Sequence, residues 1–184
     1  MEIMKLYTYK EAIDTYGTRA ELARLLRSGK LFNPARNVYS SEEYTDPLAI
    51  AMKAYPHSIL TGLTAFYIHG LTDRIPQRID LATKRNATRI SNSEIKQHFV
   101  ANDIFDLGKT VVEHDGVQVR IYDLETMLFY LVKHDDKLPH DLFKEVMKAY
   151  RKKSHELDYS KLKRYADIRP GGRTNLERIV REVL

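Results

Sequence analysis

The stretch TRAELARLLRSGKLFNPARNVYS, residues 18–40, decides how the start of this chain is read. Thr18-Arg19-Ala20-Glu21 has capping-box spacing: a threonine oxygen accepts a backbone N–H three residues on, and a glutamate reaches back to the cap. A helix is therefore expected to start at Thr18. Leu22, Ala23, Leu25 and Leu26 supply its apolar face, Arg19, Arg24 and Arg27 stand on its polar side, and Ser28-Gly29 ends it. Lys30-Leu31-Phe32, a turn containing Pro34, and Val38-Tyr39-Ser40 then read as two short strands with Arg36 and Asn37 near the tip. Upstream, Tyr9 to Tyr16 forms a short helix with Ala12, Ile13 and Tyr16 inward, and Gly17 separates it from the second. A helix pair followed by a basic strand-turn-strand matches the winged helix-turn-helix plan.

From Gly17 to Ser40 five basic residues face one acid, Glu21, whereas the 184-residue chain carries a formal net charge of only +5. Much of the excess sits on this one segment, which points to a polyanion as its partner. The residues expected to meet DNA are Thr18, Arg19, Arg24, Arg27, Lys30, Arg36 and Asn37. Arginine forks can bridge phosphates or take guanine bidentately, while Lys30 and Arg36 need only neutralise backbone charge.

Ser40-Ser41-Glu42-Glu43 is polar and acidic, and the domain boundary is expected near Ser41 to Asp46, where Asp46 caps a helix that has Pro47 at its first position and runs over Leu48 to Tyr55. Strand and helix then alternate: a strand at Ser58 to Leu60, a buried helix at Thr61 to His69, a strand at Arg78 to Thr83, and an extended Ile95 to Val100. Asp115-Gly116 between Thr110 to His114 and Val117 to Tyr122 is a hairpin signal. Asp123 caps the first of three helices, Leu124 to Lys133, His140 to Lys152 and Ser160 to Asp167. A second capping-box pattern at Thr174-Asn175-Leu176-Glu177 opens a last helix ending at Leu184. The expected fold class is α+β: a winged helix-turn-helix over residues 1–41, then a mixed α/β domain over 47–184 that ends in a helical segment.

Other motifs favour structural readings. The absence of cysteine excludes disulfides and thiolate chemistry and fits a reducing, cytoplasmic setting. Met1-Glu2 lacks a basic leader, and the apolar run Met127 to Val132 falls far short of the roughly 20 residues of a membrane helix. His134-Asp135-Asp136 and His140-Asp141 lie between two helices, where such residues serve helix ends rather than a metal. Pro170-Gly171-Gly172-Arg173 reads as an interhelix turn in preference to an anion-binding one. A second basic run spans Lys144 to Arg164, and within it Tyr150-Arg151-Lys152-Lys153, with Tyr159 and the adjoining Tyr165, has the aromatic and basic mixture of single-strand-binding surfaces. Tyr150, however, shares a face with Phe143 and Val146 and is expected to pack.

Leu60-Thr61-Gly62-Leu63 followed by Arg78-Ile79-Asp80-Leu81-Ala82 has a faint likeness to nucleotidyltransferases, which set a Gly-Ser turn before an Asp-x-Asp pair. Two-metal chemistry needs both carboxylates, and here Ala82 holds the second position and Leu63 the serine position. At most this segment is a relic of a degenerate nucleotidyltransferase-like fold, without catalytic residues, metal or cofactor.

The segment YPHSILTGLTAFYIHGLTD, residues 55–73, resembles the hallmark of AbiEi-type abortive-infection antitoxins. Residues 122–128, YDLETML, and 141–151, DLFKEVMKAYR, resemble two further family landmarks, and Leu31 to Tyr39 fits the family's wing. Asn37 replaces the glycine of the usual Gly-Val-Tyr ending, a change that left-handed backbone geometry tolerates. The likeness covers most of residues 7–152. It implies a winged-helix repressor that binds inverted repeats in its own promoter, joined to a C-terminal antitoxin domain. Such a type IV system counters a nucleotidyltransferase toxin without a stable complex. Alternative readings are a stand-alone winged-helix transcriptional regulator and a catalytically dead nucleotidyltransferase-like RNA-binding module.

Overall fold

The computed structural model describes residues 5–184, which divide into two compact units. One runs to Ser58 and takes in Glu113–Val119; the other comprises Ile59–Val112 and Arg120–Leu184.

The first unit follows the order β1 (Leu6–Thr8), α1 (Tyr9–Tyr16), α2 (Arg19–Arg27), β2 (Phe32–Ala35), β3 (Val38–Ser40) and α3 (Pro47–Ala54). Its strands form an antiparallel sheet in the order β1-β3-β2. The sequence reading lacks β1, whose three residues are too few to display alternation. Thr8 ends β1 and caps α1 with a complete capping box: Glu11 N donates to Thr8 Oγ1 at 3.3 Å and Thr8 N to Glu11 Oε2 at 2.6 Å. The box expected at Thr18 forms only by half. Glu21 N donates to Thr18 Oγ1 at 3.3 Å, but the Glu21 carboxylate turns to Arg24 instead of back to the cap.

Ala12, Leu22 and Leu31 are the buried centre of this unit, with Tyr7, Ile13, Tyr16, Leu25, Leu26 and Tyr39 packed around them. Full burial of a leucine such as Leu22 or Leu31 contributes about 2 kcal/mol. Ala23, assigned to the apolar face, is exposed. The expected boundary at residues 41–47 also moves. Asp46 Oδ1 accepts from Leu48 N and Ala49 N as foreseen, but α3 buries Ala49, Ala51 and Met52 and packs on all three strands of the first sheet. A cap and a helical proline fix where a helix begins, not which core it joins.

Next in chain order come β4 (Ile59–Leu60), α4 (Gly62–Ile68), β5 (Ile79–Lys84) and β6 (Ile95–Val100) of the second unit, and β7 (Lys109–His114) and β8 (Val117–Tyr122), whose residues 113–119 belong to the first. The helices α5 (Leu124–Lys133), α6 (His140–Lys152), α7 (Tyr159–Ile168) and α8 (Gly172–Glu182) complete the second unit. The sheet runs β6-β5-β4-β8-β7 and is mixed, β4 being antiparallel to β5 and parallel to β8, with β5 and β6 parallel. Asp115 and Gly116 have positive φ, 48° and 80°, as the expected two-residue hairpin requires. Only ten residues, 85–94, link parallel β5 and β6, too few for a helical crossover. Gln97 staples this loop: Oε1 accepts from Ile90 N, and Nε2 donates to Thr83 Oγ1 and Thr88 O.

The last helix departs from its expected start. α8 begins at Gly172, after a left-handed Gly171 (φ 68°), so Thr174 already lies inside the first turn and caps nothing. A Cβ on Gly172 would run into the backbone of Ala166, which explains the glycine by the close approach of α7 and α8.

Segments that lie apart in sequence lock together here. Thr72 Oγ1 donates to Glu145 Oε1 at 2.5 Å, and Arg74 reaches Glu145 at 2.9 Å and Asp141 at 2.6 Å. His69 Nε2 meets the Tyr122 carbonyl at 2.7 Å, and the wholly buried Tyr150 hydroxyl donates to Leu124 O at 3.0 Å. Among the described residues no helix is long and apolar enough to cross a membrane.

Candidate nucleic-acid interface

Helix α2 turns its leucines inward, leaving Arg19, Ala20, Ala23, Arg24 and Arg27 exposed on one face. Positions i, i+4 and i+8 fall in register on a helix, so Arg19, Ala23 and Arg27 form a single stripe. Arg24 is not a free cation. Its Nε and Nη2 donate to the Glu21 carboxylate at 3.0 Å and 2.5 Å, and this pairing holds Glu21 below the usual carboxylate range. Both side chains face water, so the pair is weak and open to exchange for a phosphate. Arg19, Arg27, Lys30 and Arg36 form no ion pair among the described residues.

The β2–β3 hairpin, at the place of the expected wing, has a two-residue turn. Ala35 pairs with Val38, which leaves Arg36 and Asn37 as its tip, both exposed. Asn37 has φ 61°, the left-handed geometry for which an asparagine at this place is suited. Asn33 braces the turn from within, its Nδ2 donating to Ala35 O at 3.0 Å and Val38 O at 2.7 Å. The register shifts between Phe32 and Ala35, at Pro34, which has no N–H to give to a ladder.

Between α2 and the wing lies an open groove of about 390 Å³ with Arg19, Ala23 and Leu26 on one side, and Asn37, Tyr39 and Tyr9 on the other. Thus two expected contact residues, Arg19 and Asn37, share one concavity, with Arg24 and Arg27 on the exposed face beside it. Tyr9, 41% exposed, and Tyr39 are additions that the sequence reading lacks; their rings lie 6.3 Å apart. The β1–β3 pairing, which has no local trace in the sequence, sets Tyr7 opposite Tyr39 and so brings Tyr9 alongside the hairpin.

Of the tyrosines in and beside the Lys144 to Arg164 run, Tyr150 and Tyr165 are buried and their hydroxyls donate to Leu124 O and Asp123 Oδ2, so neither can stack on a base, whereas Tyr159 is 45% exposed with Lys163 Nζ 4.7 Å from its ring centre. Asp135 pairs with Arg178 and Asp141 with Arg74, and among the described residues no cluster could hold a metal ion. Gly62 does approach Asp80 closely, since a Cβ there would stand 2.8 Å from the carboxyl carbon. Asp80, however, is buried against His98 at 2.6 Å, and Ala82 is fully buried.

The chain matches no protein-family model and no curated protein sequence.

Proposed function

We propose that the first unit is a winged helix-turn-helix that binds double-stranded DNA, with α2 presented to the major groove and the Arg36-Asn37 tip to the flanking backbone. The observation that carries this reading is the solvent-facing helix face of Arg19, Arg24 and Arg27, followed by Lys30 and a hairpin with Arg36 at its tip, while Ala20 and Ala23 on the same face leave space for base edges. Thr18 adds the N-terminus of α2, where backbone N–H groups favour a phosphate. With the resemblance of residues 7–152 to AbiEi-type antitoxins, the protein is read as a non-enzymatic, autoregulatory antitoxin. It represses its own promoter at inverted repeats, and it counters a nucleotidyltransferase toxin without a stable complex.

The test is promoter binding by an Arg24→Ala, Arg27→Ala variant over a range of salt. Both side chains are exposed, so the unfolding midpoint should not move while affinity falls. The slope of log affinity against log salt should shrink by about one per lost phosphate contact. Unchanged affinity and slope would remove α2 from the interface.

A further inference from the structure

The second unit encloses a cavity of about 260 Å³ among β6, α5 and the α7–α8 connection. We propose that this cavity binds a small phosphate-bearing anion. Its lining contains Arg169, Lys133, His98 and His134, and no carboxylate. The acids nearest to it are already engaged. Asp80 lies behind His98 at 2.6 Å with Lys96 at 3.7 Å, and Asp123 accepts from Tyr165 and Thr126 N with Lys161 at 3.6 Å. Two permanent cations therefore line a partly enclosed space without a counter-charge in its wall.

Arg169 sharpens the argument. Its guanidinium lies 5.4 Å from the Phe129 ring centre, and its Nε is buried with no hydrogen-bond partner, the one such side-chain atom among the described residues. Native interiors pair nearly all buried donors, so a lining arginine with an unmet N–H is one whose hydrogen-bonding capacity the protein itself does not fill. A phosphate suits it, since arginine forks and phosphate oxygens match in geometry. The imidazoles are held in position: His98 by Asp80, and His134 by donation from Nδ1 to the Tyr130 carbonyl at 2.9 Å. Phe99 and Tyr130 give the remaining wall an aromatic surface. The volume lies below the roughly 300–1,000 Å³ of pockets that engulf drug-sized ligands. The site therefore takes free phosphate, or the phosphoryl end of an organic ester whose remainder leans on the aromatic wall.

The experiment is isothermal titration of the full chain with inorganic phosphate, AMP and adenosine at constant ionic strength. Phosphate and AMP should bind and adenosine should not; AMP binding more tightly than phosphate identifies an ester as the ligand, and equal binding identifies the free ion. Arg169→Met, which keeps a long side chain on Phe129, should weaken binding at least tenfold without lowering the unfolding midpoint. Lys133→Ala, at an exposed position that cannot disturb the core, should weaken it severalfold. The Arg24→Ala, Arg27→Ala variant serves as control and should bind phosphate as the parent does, which separates this site from the proposed DNA surface. No binding of phosphate or AMP at millimolar concentration would overturn the proposal. So would adenosine binding as well as AMP, or affinity indifferent to both Arg169→Met and Lys133→Ala.

Discussion

Glu11 joins three elements of the first unit, and its removal should be felt in all of them. Its Oε2 accepts from Thr8 N at 2.6 Å, completing the cap of α1, and meets Lys53 Nζ of α3 at 2.6 Å. Lys53 and the Thr8 N–H hold its pKa down from 4.5 to about 2. Taken alone that depression corresponds to about 3 kcal/mol. The Glu11 side chain is 50% exposed, so water and salt discount the figure. A reciprocal cap of about 1 kcal/mol and a surface pair of about 0.5 kcal/mol give ~1.5 kcal/mol for Glu11→Ala. In a domain of this size that lowers Tm by roughly 6–12 °C. Glu11→Gln, which can still close a capping box, should lose only the pair. The assay is amide hydrogen exchange over α1 and α3, with a Glu11→Ala, Lys53→Ala double-mutant cycle for the coupling. Because the folded pKa is depressed, the charge-dependent part is present above pH 4.5 and disappears as pH falls toward about 2. Zero coupling, with α3 exchange indifferent to either substitution, would refute the pair as a tie between α1 and α3.

Gly172→Ala should destabilise the second unit by several kcal/mol because its Cβ meets Ala166 backbone, whereas Gly171→Ala, in open space at φ 68°, should cost about 1 kcal/mol; urea midpoints of the two variants test the order. Burial lowers the pKa of both His69 and His134, so protonation favours the unfolded chain: their stabilisation is present above about pH 6.5 and is lost as pH falls through the folded values. The urea midpoint of the second unit should therefore be lower at pH 5.5 than at 7.5, and less so in His69→Gln; an equal or higher midpoint at pH 5.5 would contradict this sign.

What the sequence conveys about this chain is where elements begin and turn. The helices Tyr9–Tyr16, Leu124–Lys133 and His140–Lys152 and the Asp115-Gly116 hairpin have the bounds read from periodicity and caps. Local signals mislead where a side chain has a choice of partners. Glu21 can reach back to Thr18 or forward to Arg24, and the charged partner wins. Thr174 offers a cap, but Gly171 in left-handed geometry has already started the helix. Long-range pairing leaves no local trace, so β1, the membership of α3, and the meeting of Arg19 with Asn37 across one groove emerge only from the fold. The same holds for Arg169, whose unmet donor is invisible in a string that shows merely one more arginine before Pro170.

Three separated segments, residues 55–73, 122–128 and 141–151, also share a physical logic. From the first come His69 and Thr72, from the second Tyr122 and Leu124, from the third Glu145 and Tyr150, and these residues bond to one another: His69 to the Tyr122 carbonyl, Thr72 to Glu145, Tyr150 to Leu124. Each bond spans at least 26 positions, and Tyr150 is wholly buried. Losing one member leaves a buried or half-buried polar group without its partner, at a cost of about 1–3 kcal/mol. Only Thr72 and Glu145 meet side chain to side chain; His69 and Tyr150 reach backbone carbonyls, so for those two bonds the identity of the donor alone matters. They act as a framework for the second unit rather than as a contact surface. DNA recognition, as proposed for α2 and the wing, draws on exposed side chains whose exchange leaves either core untouched. Under the proposed reading, base contacts are therefore to be sought at Arg19, Ala23, Arg27 and Asn37, which are exposed.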